Sequence, residues 1–226
     1  MTYFSKDAII KITTTYLKIT SRKDLLKPEE VSEEALVEKG LVEDFLRYYG
    51  LDGEVDSCKR IRAAVLALSL GVEGDRISRY LDWREFEELS AELFKEAGYT
   101  VFRDVKIKLD RKRIQIDLIA IIDSLMLIVD CKHWRKPPAY SERRRIMLKQ
   151  MERMKALTRL HGDFEIRIIP VVLTLYEPRE LIVDGYPYVP IRKIKSFLDG
   201  LRNIYPSIKS IKVGISLKEL KSVSQK

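Results

Sequence analysis

Asp117, Asp130 and Lys132 are the residues whose types and spacing could do chemistry. Two apolar runs, Leu118–Ile122 and Leu125–Val129, flank Asp123-Ser124. Any symmetric hairpin turning at that dipeptide sets Asp117 directly opposite Asp130. Opposed like charges destabilise a sheet unless something positive lies between them. Side chains alternate faces along a strand, so Lys132 projects on the same side as Asp130. Two carboxylates and an ammonium then share one surface set among Ile, Leu and Val. A divalent cation is the natural resolution of the repulsion. A merely solvated strand face would alternate polar and apolar neighbours, whereas these continuous runs fit strands covered on both faces.

The elements around this pair are legible in turn. Asp82-Trp83-Arg84-Glu85 fits a capping box that opens a helix. Phe86, Leu89, Leu93, Phe94 and Ala97 give that helix one apolar face, and Gly98 closes it. Strands are expected over Tyr99–Val105, Ile107–Leu109, Arg113–Ile122 and Leu125–Lys132. Pro137-Pro138 breaks the chain, and Ser141 is placed to cap a long basic helix ending near His161-Gly162. A buried strand over Ile166–Leu175, a hairpin at Asp184-Gly185, a helix over Ile191–Leu201 and a strand near Ile211–Ile215 complete the series. The order α-β-β-β-α-β from residue 82 to 175 predicts an α/β domain.

Residues 1–80 read as a small all-helical domain ahead of a domain over 81–226. Helices are expected from Ser5 to about Lys18, from Ser32 to about Tyr49, from Ser57 to Leu70, and around Asp75–Leu81. The stretch Ala67–Leu81 resembles the turn and second helix of helix-turn-helix proteins. A helical bundle that extends the next domain is the plainer alternative.

Charge separates the two parts. Residues 1–80 carry 13 Lys/Arg and 14 Asp/Glu, whereas residues 81–226 carry 29 and 20. The whole positive excess, +8 for the chain, therefore lies beyond residue 80, where it would attract a polyanion. No apolar run is long enough to span a bilayer, so no membrane partner is expected. The N-terminus lacks the basic-then-apolar order of a secretory signal. Cys58 and Cys131 are the only cysteines, which argues against a disulfide framework or a structural zinc site. A reduced, cytoplasmic protein is the expectation.

Asp117…Asp130-Cys131-Lys132 resembles the bipartite signature of the PD-(D/E)xK nuclease superfamily. Phe86-Glu87 followed by Ala97-Gly98-Tyr99 is similar to the opening of its Mrr-type domains, and Asp130 to Trp134 resembles archaeal members. The likeness covers roughly residues 82–200, with Ile116 standing where many members have Pro. It implies a restriction endonuclease-like αβββαβ core and hydrolysis of phosphodiester bonds in DNA. Asp117, Asp130, the Cys131 backbone carbonyl and Glu87 would bind Mg²⁺, with Mn²⁺ able to substitute. Glu87, Asp117, Asp130 and Lys132 would form the catalytic set. Gln150 falls on the following helix, where related nucleases often carry a Gln. Arg135, Lys136, Arg143, Arg144, Arg145 and Lys149 begin a few residues past Lys132 and would follow a phosphate backbone. His133 and Trp134 would touch substrate or cap the sheet. A Holliday-junction-resolving enzyme shares these expectations, and a non-catalytic DNA-binding module would keep the fold alone. Cleavage of both strands would suit a homodimer, and the N-terminal helices could recruit a protein partner.

Overall fold

Residues 4–109, 111–134, 137–176, 178, 180–216 and 218–220 are described by a computed structural model. The chain divides into two compact units, Met1–Leu89 and Ser90–Lys226. The division falls inside a helix, so the capping-box helix begins in one unit and ends in the other.

The first unit is helical: α1 (Lys6–Thr20), α2 (Pro28–Ala35), α3 (Lys39–Tyr48), α4 (Ser57–Ser69) and α5 (Gly74–Ser78). Ser5 caps α1 by accepting the Ala8 N–H at 3.2 Å. The expected single helix from Ser32 to Tyr49 is two helices. Pro28, with φ preset for a first turn, starts α2 upstream of Ser32. Leu36 then turns left-handed at φ 53°, and the Ser32 hydroxyl donates to the Val37 carbonyl at 2.7 Å. Ser32 thus helps close a helix end. Asp56 caps α4 through the Lys59 N–H, one residue before the Ser57 start. The second helix of the helix-turn-helix resemblance, α5, has five residues.

α6 (Trp83–Glu96) opens with the expected capping box. Asp82 accepts the Glu85 N–H at 2.8 Å, and Glu85 accepts the Asp82 N–H at 2.9 Å. Glu85 is also buried against Arg60 of α4 at 2.5 Å, and Arg60 donates to Thr20 and to the Leu17 and Tyr80 carbonyls. Every donor direction of this buried guanidinium is used, which is the condition for tolerating its burial.

The second unit is a mixed α/β fold built on a seven-stranded sheet. Its strands are β1 (Thr100–Leu109), β2 (Lys112–Ile122), β3 (Leu125–Lys132), β4 (His161–Thr174), β5 (Ile182–Val183), β6 (Tyr186–Pro190) and β7 (Ile211–Ile215). Their order is β1-β2-β3-β4-β6-β5, with β7 pairing β4. β1, β2 and β3 form an antiparallel meander, while β3 and β4 run parallel and are joined by α7 (Tyr140–Leu157). Parallel neighbours need such a crossover. α8 (Ile194–Ile204) links β6 towards β7. The helix-strand order from α6 to β4 is the αβββαβ series expected from the sequence.

Three of the boundaries that differ from expectation have a local cause. β1 is one strand instead of two, because Lys106 faces out while Val105 and Ile107 stay buried. α7 starts at Tyr140 with no side-chain cap, so Ser141 lies inside it. β4 begins five residues early, since its first half pairs with β7. Among the described residues no helix is long and apolar enough to cross a membrane.

Candidate active site

The register of β2 and β3 decides what Asp117 and Asp130 can do together. Their ladder runs from Ile122↔Leu125 to Leu118↔Val129, the symmetric pairing about Asp123-Ser124. Asp123 takes a left-handed φ of 50°, which a short polar side chain tolerates. The next pair in register is Asp117 and Asp130, and there the ladder stops. The Asp117 carboxylate takes over, accepting the Cys131 N–H through Oδ2 at 2.8 Å. The strands therefore part at the carboxylates.

Asp130 is almost wholly buried, with a side chain 2% exposed, and both its oxygens face cations. Lys132 Nζ lies 2.8 Å from Oδ2, as alternation along β3 requires. Arg153 Nη1 lies 2.6 Å from Oδ1. Arg153 Nη2 reaches Asp117 Oδ1 at 3.8 Å, so one guanidinium bridges the two carboxylates. Burial and the nearby Asp130 charge raise the Asp117 pKa above its ordinary value, against the opposing pull of Arg153, the Cys131 N–H and Lys132. The two carboxylates come together as the sequence anticipates, and a side-chain cation bridges them.

Arg153, on the basic helix α7, is a residue that the sequence does not single out. Its Nε donates to the Gln115 carbonyl at 2.9 Å, an acceptor that lies beyond the β2–β3 ladder. Its Nη1 also donates to Gln150 Oε1 at 3.2 Å. Gln150 is fully buried and donates Nε2 to the Val171 carbonyl at 2.8 Å and the Ile128 carbonyl at 3.2 Å. It pins α7 to β3 and β4 and orients Arg153. The available signal was spacing: residues three apart share a helix face.

A second omission is Asp104. It falls opposite Asp117 in the β1–β2 register, at φ 49°, between Arg103↔Leu118 and Val105↔Ile116. Gln115 Nε2 donates to it at 2.7 Å, and Lys106 pairs with it. Only the pairing of β1 with β2 reveals this neighbour.

The remaining expected residues are distributed as follows. Glu87 is half-buried on the part of α6 that belongs to the first unit, and the two Asp residues belong to the second. Cys131 is half-buried. Trp134 packs against the apolar core of the second unit, which favours a structural part for it. Arg144, Arg145 and Lys149 are exposed on α7, with Arg145 paired to Glu142 at 2.7 Å. Arg143 is half-buried instead: its guanidinium lies over the Tyr140 ring and its Nε is shut away from solvent. Arg135 and Lys136 lie outside the described residues.

Residues 82–174 match the family model of NERD, the nuclease-related domain. That match begins at the capping box and ends with β4, so it spans all of the carboxylate cluster and its supports. The family's description, a nuclease-related domain, is what this stretch is similar to. No match to the chain was found among curated proteins.

The donor set here fits a hard divalent cation: two carboxylates from adjoining strands, both offering oxygen. Among the described residues no three His, Cys, Asp or Glu side chains gather to hold a metal ion. A cation here would rest on two carboxylates and complete its shell with backbone and water oxygens, as Mg²⁺ commonly does.

Proposed function

We propose that the NERD region is a Mg²⁺-dependent endonuclease that hydrolyses phosphodiester bonds in DNA. The observation that carries this is the meeting of Asp117, Asp130 and Lys132 where β2 and β3 part, inside the matched segment. Asp117, Asp130 and the Cys131 carbonyl would hold the ion. When bound, Mg²⁺ supplies Lewis-acid charge for the phosphate and the water that attacks it. Lys132, one quarter exposed and anchored on Asp130, is positioned to meet charge that develops on the phosphate. The Cys131 N–H fixes Asp117, and Gln150 fixes the helix that carries Arg153. A resolvase acting on four-way junctions would use the same residues.

A non-catalytic DNA-binding module is the second reading. It is favoured by Arg153, whose guanidinium lies against both carboxylates. Asp130→Ala and Lys132→Ala separate the two. For an enzyme, both variants lose cleavage of linear, flapped and four-way DNA with Mg²⁺. Calorimetry then shows metal binding weakened by Asp130→Ala and retained by Lys132→Ala. Wild-type cleavage by a well-folded Lys132→Ala protein refutes the assignment.

A further inference from the structure

We infer that the solvent face of the β1–β2 hairpin is a DNA-backbone surface leading away from the carboxylate pair. This deepens the proposed nuclease reading and rests on it. The β2–β3 ladder ends at Leu118, whereas the β1–β2 ladder continues to Leu109↔Lys112. The outer half of the hairpin is therefore a two-stranded arm beyond β3. Two strands alone are marginal in water. One face of this arm is secured by burying Val105, Ile107, Ile114 and Ile116 in the core of the unit.

The opposite face is polar and continuous with the site. Along β2 burial alternates from Arg113 to Leu118, so Arg113, Gln115 and Asp117 share the less buried side. Their β1 partners are Lys108, Lys106 and, by register, Asp104. Successive rows thus read Asp104/Asp117, Lys106/Gln115 and Lys108/Arg113, with exposed Arg111 and Lys112 at the tip. At ~3.3 Å per residue, Arg113 stands ~13 Å from Asp117. That is roughly four nucleotides of rise along one strand of a duplex. With its other face buried, the arm cannot enter a groove as a ribbon, so its charges meet phosphates and not bases.

Lysines on an edge strand also deter pairing with other chains. That role accounts for Lys106 and Lys108 on β1. It does not account for Arg113, which lies on β2 in the row of Lys108 and, by alternation, on the same side as Asp117. Meanwhile the α7 residues proposed from sequence are partly occupied within the fold, Arg143 against Tyr140 and Arg145 with Glu142. The hairpin and α7 converge, since Lys112 reaches Glu152 at 3.5 Å and Arg153 holds the Gln115 carbonyl. DNA lying on the hairpin face would run directly to Asp117.

The test uses the full chain and a fluorescent 30-base-pair duplex, with binding measured in Ca²⁺ across a salt series. Lys108→Glu with Arg113→Glu should weaken binding at least tenfold. It should also lower the log–log salt slope by roughly 1.8, at about 0.9 per phosphate contact. Lys108→Gln with Arg113→Gln repeats the test should the reversal disturb folding, and should lower the slope in the same direction. Reversing exposed Lys195 and Lys212, on α8 and β7, controls for net charge and should leave the slope nearly unchanged. If wild type binds duplex DNA and the hairpin variants keep its slope, the hairpin inference fails while the nuclease reading stands. If wild type binds single-stranded RNA and not the duplex, the commitment to DNA fails here and in the proposed function. Wild type that binds neither overturns both readings.

Discussion

Replacing Arg153 by leucine removes the guanidinium between Asp117 and Asp130 while keeping an apolar stem on α7. Asp130 is 2% exposed and Arg153 11%, so this ion pair is scarcely screened by solvent. Removing one partner of a buried pair costs about 3–5 kcal/mol, because the other charge is left uncompensated. Lys132 remains 2.8 Å from the second Asp130 oxygen, which places the expected loss near the lower end, ~3 kcal/mol. For a unit of this size that corresponds to a Tm lower by roughly 6–12 °C. The assay is thermal melting by circular dichroism in a chelating buffer, followed by titration with MgCl₂. A divalent cation bound to the vacated carboxylates replaces the lost charge, and at a hundredfold excess over Kd it returns about 2.7 kcal/mol. The variant should therefore regain more Tm from Mg²⁺ than wild type does. A chelated variant melting within a degree or two of wild type would refute the counter-charge account of Arg153.

Two further outcomes follow from the same electrostatics. Asp117 has a raised pKa in the fold, so its stabilising contribution is complete below the ordinary carboxylate pKa and lost as pH rises through the raised value. Asp117→Asn keeps an oxygen for the Cys131 N–H yet removes the repulsion with Asp130. It should be more stable than wild type in urea at pH 7 without metal, and the gain should vanish below about pH 4. An equal difference at both pH values would rule out titration as the cause. In the first unit, Arg60→Leu leaves the buried Glu85 carboxylate without its cation and Thr20, Leu17 and Tyr80 without their donor. A loss of at least ~3 kcal/mol in chemical denaturation is expected, and a loss under 1 kcal/mol would show that the network is dispensable.

How much of the site could be read from the chain depends on how far apart the interacting residues lie. The opposition of Asp117 and Asp130 is a local property: a tight turn at Asp123-Ser124 and a period of two fix it. Lys132 follows from the same period, and the Asp82–Glu85 box from a spacing of three. The order from α6 to β4 was equally legible, because each element carries its own pattern of apolar residues and its own stop. The split between α2 and α3 was not, since a left-handed Leu36 has no sequence signature.

What the chain could not disclose is how α7 docks on the sheet. A basic helix of 18 residues offers several charges of similar type, and solvent exposure is the default for each. Docking chose one of them. Gln150 reaches carbonyls on β3 and β4, more than 20 residues away in sequence in each case, and this fixes the angle at which Arg153 enters between the carboxylates. The same docking turns Arg143 inward against Tyr140 and leaves Arg144 and Lys149 outside. Sequence alone determined that two carboxylates would repel each other at the end of a hairpin, because that rests on alternation and turn symmetry. Only the tertiary structure decided that a guanidinium answers the repulsion and that the hairpin face beside it is basic. Those outcomes depend on contacts between elements whose separation along the chain leaves no periodic trace.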